Sequence, residues 1–234
     1  MISNLFIRRL LNSNRFIIHH LSKHKYIQAT SLAISHTIPY AEAEQTMSDI
    51  EVLAKKVYKS SHVAPSDKLL RWYRRNPSLW WLAKDKTCLI GYLCAIPLSH
   101  EAFLKTKQSE FNDLTDIADN AIRPWNDGLG SKYCMHIFSF VVDPIYQRRS
   151  GLPIHRLILK HFLESLLLYG KSGCIVTEWS ALAVSEIGCH VSRSDFDLTL
   201  LTHNSNNNNH IFYGKTSSEH QEQLLQRVIQ KLQS

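Results

Sequence analysis

The stretch "VVDPIYQRRSGLPIHRL", residues 141 to 157, decides how the chain is read. Upstream of it, "YCMHIFSFVVD" (133 to 143) is almost continuously apolar, the pattern of a central strand covered on both faces. Downstream, Ile154, Leu157, Ile158, Phe162, Leu166 and Leu167 recur at helical spacing, with Pro153 suited to the first position and Gly170 to the stop. Arg148, Arg149, Ser150 and Gly151 therefore fall on a strand-to-helix turn. A helix start carries unpaired N–H groups and the positive end of the peptide dipoles, so such a turn can hold phosphate oxygens. The same residues also fit a plain connection with solvated arginines.

Working outward, "YIQATSLAISHT" (26 to 37) alternates as a first strand, and Ile50, Leu53, Ala54, Val57 and Tyr58 make a helical face. "SDKLLRWYRRN" predicts a second helix with Ser66 as its N-cap. Strands follow over Leu79 to Ala83 and Thr87 to Ile96, turned by Lys84-Asp85-Lys86. Residues 99 to 131 read as a helix, an acidic excursion and a loop. After the long helix come a strand over 174 to 179, a short helix over 180 to 188, and strands over 190 to 201 and 210 to 216. A final helix starts near 217, where Thr216 and Glu219 have capping-box spacing. Leu224, Leu225, Val228, Ile229 and Leu232 give it one apolar face, to dock on its own domain or on a second subunit in a homodimer.

The 234 residues suffice for one globular domain with appendages, and 44% apolar with 10% aromatic residues argues against disorder. Five cysteines without CxxC spacing read as reduced thiols of an intracellular protein, with neither a disulfide framework nor a zinc site. No apolar run reaches the ~20 residues needed to span a bilayer. A net charge of +7 admits anionic partners. Its lysines and arginines are spread along the chain with no reader motif, which argues against nucleic acid and keeps that reading as an alternative only. Residues 1 to 25 form a basic extension, and no acid precedes Glu42. That is the composition of a mitochondrial transit peptide, against the default of a cytoplasmic protein.

The order of elements, with "KDKTCLIGYLCAIPL", "FSFVVDPIYQRRSGL" and "SALAVSEIGCHV", resembles the GNAT acetyltransferase superfamily. The layout is shared over about residues 26 to 216, before the C-terminal helix 217 to 234. The resemblance implies an α/β fold, a central mixed sheet of six to seven strands flanked by helices. It also implies an acyl-CoA-dependent N-acetyltransferase that binds acetyl-CoA, needs no metal, and lets an amine attack the thioester directly in a ternary complex. Carried over, Val141 and Val142 offer backbone to the pantetheine arm, and Arg149, Ser150, Gly151 and Leu152 surround the pyrophosphate. The acceptor is an amine of open identity, faced by residues 42 to 78 and 99 to 131.

Two departures stand out. The loop has Ser150 with Leu152, or Gly151 with Pro153, where the family has two small residues. Val184 stands where many members have the tyrosine that protonates the departing thiolate. Both also fit a catalytically silent module that binds CoA or a protein. Candidate catalytic bases are His136, in the central strand, and Glu178, at the end of the next. Each has a plainer alternative, His136 as a satisfied core residue and Glu178 as a helix cap.

Overall fold

The structure, a computed structural model, describes residues 32–147, 153–204 and 209–234. The basic extension 1–25 and the loop candidates Arg149, Ser150, Gly151 and Leu152 lie outside the described residues. Seven strands, β1 (Leu32–Ser35), β2 (Trp80–Asp85), β3 (Cys88–Leu98), β4 (Lys132–Val142), β5 (Ile175–Ala183), β6 (Thr199–Asn204) and β7 (Asn209–Lys215), form one sheet. Their order is β1-β2-β3-β4-β5-β7-β6. β4 and β5 run parallel and the other described pairs antiparallel, so the sheet is mixed, as expected.

Helices α1 (Ala43–Lys55) and α2 (Ser66–Arg75) cover one face, where Met47, Ile50, Leu53, Leu69 and Trp72 pack on Trp80, Tyr92, Ile96 and Val141. Short helices α3 (His100–Lys105), α4 (Asp113–Asp116) and α5 (Pro144–Gln147) occupy the connections before and after β4. The opposite face holds α6 (Ile154–Lys171), then α7 (Glu186–Ser194) and α8 (Ser218–Gln233). There Ile158, Phe162 and Leu166 meet Trp81, Met135 and Trp179, and Leu224, Leu225 and Val228 of α8 join the same core. The apolar face of the last helix is thus buried in its own domain. No helix among the described residues is long and apolar enough to cross a membrane.

Several sequence boundaries move, each for a physical reason. Pro65, not Ser66, precedes α2, and the Ser66 N–H donates to Glu51 Oε2 at 2.6 Å, so a carboxylate from α1 caps the helix. The hairpin turn is Lys86-Thr87, with Lys86 at φ 55°, the left-handed backbone a two-residue turn demands. Gly170 lies inside α6, and the left-handed position after the helix is taken by Gly173 at φ 91°. At α8 the cap is Ser217, whose Oγ accepts the His220 N–H at 3.1 Å.

The largest correction concerns residues 180 to 201. The expected helix over 180 to 188 is strand as far as Ala183, because Leu182 and Ala183 pair with Ile211 and His210 of β7. The helix begins only at Glu186, capped by Ser185 Oγ on the Gly188 N–H at 3.1 Å. It then fills the first part of the span read as a strand over 190 to 201, leaving β6 to start at Thr199.

One irregularity in β4 matters for the site. Ile137 pairs with Ala95 and Ser139 with Cys94, so Phe138 is an extra residue, a bulge. Before it, Tyr133, Met135 and Ile137 face α6; after it, Val142 does so while Val141 faces α1 and α2. The alternation of the strand is reversed there.

Candidate active site

β4 and β5 are paired up to Ile137–Ala181. Beyond that pair they part, β4 staying on β3 through Val142 and β5 on β7 through Ala183. A cavity of about 580 Å³ occupies the parting, within the size range of small-molecule and cofactor sites. One wall is β4 from Ile137 to Val142, so the pantetheine candidates Val141 and Val142 both line it. The opposite wall is Ala181 to Ser185 with Ile187 and Gly188 of α7. The far side is closed by α1 and the segment after it, including Glu51, Lys56, Tyr58 and His62, and by Asp113 of α4.

At the end of β4, Asp143 receives Lys56 Nζ at 2.8 Å and the Ile145 N–H at 2.9 Å. Burial works to raise its carboxyl, but these two partners hold it below the usual carboxylate range. The pair ties α1 to the start of the connection leading into α6. That long helix has no side-chain cap and no acid in its first turn.

Val184 lines the cavity, in the turn between β5 and α7, and offers no proton. Two tyrosines that the sequence reading did not single out lie on the other side. Tyr58 OH donates to the Phe140 carbonyl at 3.4 Å, and Tyr92 OH lies 3.0 Å from Ser139 Oγ. Burial raises both phenols, with Asp113 adding to the effect on Tyr58, so both keep their protons at neutral pH. Ser139 meets them because the bulge has turned it toward α1.

The two catalytic candidates are on the same face but differently employed. Glu178, paired across from Cys134, lies outside the cavity lining. Its Oε2 accepts from Lys107 Nζ at 3.0 Å and Tyr213 OH at 2.7 Å. Burial acts to raise its carboxyl, and these two hydrogen bonds overcome that and lower it. Tyr213 is pushed up to about 12, by burial first and by Glu178 second. The Lys107 ammonium also sits 4.0 Å from the centre of the Tyr213 ring.

His136 is fully buried. Its Nδ1 lies 3.0 Å from Ser180 Oγ, and Nε2 lies 3.8 Å from Asp113 Oδ2 without a hydrogen-bond partner. The edge of Phe111 packs on the ring at 5.4 Å between centroids. Asp113 in turn lines the cavity. Asp113 lies in an irregular stretch with no period to reveal its direction, and the periods that placed Tyr58 on a helical face and Tyr92 in a strand do not separate a cavity-lining phenol from a core one. Among the described residues no group of three histidine, cysteine or acidic side chains could hold a metal ion.

No protein-family model matches the chain, and no curated protein does so either. Solved structures do. The loading GNATL domain of CurA from Lyngbya majuscula superposes with a TM-score of 0.56 at 8% identity, over 81% of this chain and 98% of that one. The GphF GNAT-like decarboxylase in complex with isobutyryl-CoA gives 0.51 at 12% identity, over 78% of this chain and 98% of that one. The chain has the GNAT fold, in strongly diverged sequence.

Proposed function

We propose that the protein is an acyl-CoA-dependent N-acyltransferase, taking acetyl-CoA or a longer acyl-CoA and passing the acyl group to an amine in a ternary complex. The observation that carries this reading is the parting of β4 and β5 beyond Ile137–Ala181 over a cavity, on a GNAT fold. The β4 edge at Val141 and Val142, beyond the last pair with β5, receives the pantetheine arm. The turn 148 to 152, with Arg149, Ser150, Gly151 and Leu152, and the uncapped start of α6 take the pyrophosphate. The amine enters from the α1 and α2 side, and backbone N–H groups of β4 support the oxyanion.

Acid–base work falls to the groups facing α1. Tyr58 or Tyr92, which stay protonated, take the donor role that Val184 leaves vacant. Of the two sequence candidates for the base, His136 communicates with the cavity through Asp113. Glu178 is committed to Lys107 and Tyr213, and its role is to hold that corner of the site.

Because one similar structure is described as a decarboxylase with isobutyryl-CoA bound, the fate of the acyl group is tested along with its binding. Thermal unfolding is measured with acetyl-CoA and isobutyryl-CoA for wild type, Gly151→Asp and Ile187→Asp. Ile187 is 74% exposed and lines the cavity, so its substitution spares the core while opposing an anionic ligand. A rise in wild type that both variants lose supports the site, by mass action. No rise with either ligand refutes it. Binding without thiol release in the presence of amines makes the protein a silent CoA-binding module, and CO₂ release from a carboxylated acyl-CoA makes it a decarboxylase.

A further inference from the structure

Hydrogen-bond directions fix the proton positions around His136. Thr106 Oγ1 donates to the Phe103 carbonyl at 2.7 Å, and a carbonyl can only accept, so the single Thr106 hydroxyl hydrogen is committed. Thr106 Oγ1 and Ser180 Oγ are 2.8 Å apart, so Ser180 donates there. With that hydrogen spent, the 3.0 Å contact between Ser180 Oγ and His136 Nδ1 requires the hydrogen to be on Nδ1. In the neutral ring, Nε2 is therefore a bare lone pair.

That lone pair is buried, has no hydrogen-bond partner, and faces Asp113 Oδ2 at 3.8 Å. Two acceptors confronting each other repel, and one proton on either removes the conflict. The pair is thus a seat for one proton, closed by Ser180 of β5 and by Thr106 and Phe111 of the segment after α3, and opening to the cavity through Asp113. Around Asp113 the other titratable groups are Lys68 of α2, Tyr58 and Cys94 of β3. Tyr58 and Cys94 are raised by burial and remain neutral, so they do not compete for the proton. Lys68 donates to the Leu114 carbonyl.

We infer that Asp113 is the catalytic base that takes the proton of the acceptor ammonium, with His136 as a positioning residue that shares it from behind. The inference rests on the acyltransferase reading. In the step, an N–H bond of R–NH₃⁺ breaks, its electron pair stays on nitrogen, and the proton enters the Asp113–His136 seat. The neutral amine attacks the thioester carbonyl. On collapse, the C–S bond breaks and a second amine proton goes to the thiolate through a tyrosine hydroxyl. The seat then returns its proton to solvent through the cavity, and the balance is acyl-CoA plus R–NH₃⁺ giving amide, CoA thiol and H⁺.

The test uses the full chain labelled with ¹⁵N-histidine, with ring nitrogens followed by NMR between pH 5 and 9, alongside acetyl-CoA binding by thermal shift. His136 is expected as the Nδ1–H form. In Asp113→Asn the Nε2 resonance is expected to move, since the acceptor that faces it at 3.8 Å is replaced. Thiol release from acetyl-CoA is then read with two probe amines, n-butylamine, which is cationic at neutral pH, and hydroxylamine, which is neutral. Asp113→Asn lowers the n-butylamine rate by about a hundredfold or more and spares hydroxylamine. His136→Gln moves the pH profile of the n-butylamine reaction without abolishing acetyl-CoA binding.

An Nε2–H form, an unchanged Nε2 resonance in Asp113→Asn, or equal loss with both amines overturns the inference while leaving the cofactor site standing. Absence of any acetyl-CoA thermal shift overturns the reading beneath it, whatever His136 does. A wild type that binds acetyl-CoA and acylates neither amine overturns the role in transfer.

Discussion

His36, just past β1, makes the stability of this fold pH-dependent in a calculable way. Its ring is buried and stacked on Trp81, with centroids 4.4 Å apart and planes 11° from parallel. Nδ1 is 3.1 Å from the Trp80 carbonyl, which can only accept, so Nδ1 carries the hydrogen. Nε2 then accepts from Tyr169 OH at 2.5 Å. A proton on Nε2 would force the Tyr169 hydroxyl to turn from donor to acceptor and would bury a charge. Burial accordingly lowers the pKa from 6.5 to about 3, against the Trp80 carbonyl, which favours the charged ring, and with the nearby His161 adding to the fall. The folded value lies below the unfolded one, so the unfolded chain binds more protons between these limits and stability rises with pH. The full contribution is present above pH 6.5 and is lost progressively toward pH 3. It amounts to about 5 kcal/mol over the whole window and about 2 kcal/mol between pH 6.5 and pH 5. Urea unfolding of wild type and His36→Gln at pH 7.5, 6.5, 5.5 and 5 measures it. His155 is also lowered by burial and contributes with the same sign, so the difference between the two proteins isolates His36. Identical pH slopes in wild type and variant would refute the reasoning.

Gly91 of β3 has no room for a side chain: an added Cβ would stand 3.0 Å from Ile158 Cδ1 and 3.1 Å from the Val141 carbonyl. Gly91→Val is expected to cost about 1–3 kcal/mol by overpacking and, on the proposed reading of the site, to weaken the acetyl-CoA thermal shift, because it presses on β4 where that strand lines the cavity. Glu178→Gln keeps the shape and removes the charge from Lys107 and Tyr213, so urea unfolding should show a loss of about 1 kcal/mol with turnover retained. A tenfold loss of turnover in a folded variant would put Glu178 in the chemistry instead. Arg123 grips Asp127 at 2.6 and 2.9 Å, donates to the Lys132 and Gly130 carbonyls, and lies over the Tyr133 ring. Arg123→Ala should therefore cost about 3 kcal/mol in chemical denaturation. The Asp127 carboxyl is lowered, first by Arg123, so its contribution is present above its unfolded pKa of 3.8 and is lost as pH falls through the folded value.

How much of this was legible in the sequence follows from where the information sits. Strand β4, helix α6 and the amphipathic α8 were readable because a long run of one period is a collective signal. Residues 180 to 183 were not: "SALA" has the composition of a helix, and only its pairing with β7, about 30 residues on, makes it strand. The parallel β4–β5 pair was expected, whereas helix α5 directly after Asp143 was not. Tyr58 and Asp113 fall in 42 to 78 and 99 to 131, the segments the resemblance assigns to the acceptor, but could not be picked out within them. What selects them is contact across the fold, Tyr58 OH reaching the Phe140 carbonyl 82 residues on and Asp113 facing His136 of β4.

The bulge at Phe138 shows why the chemistry in particular escaped notice. In a regular strand, His136 and Ser139 would point to opposite faces, one even and one odd. The extra residue reverses the alternation between them, so both face α1, and Tyr92 finds Ser139 on the same side on which Asp113 finds His136. The sequence hides this because "HIFSFVV" is apolar on both parities, as a strand buried on both faces must be. The bulge also falls where the register with β5 ends, since the last parallel pair is Ile137–Ala181. One inserted residue therefore coincides with the start of the groove and brings the Tyr92–Ser139 and Asp113–His136 contacts to the same side of the sheet. A substitution at Phe138 that preserves size leaves this arrangement intact, whereas its deletion removes both effects together.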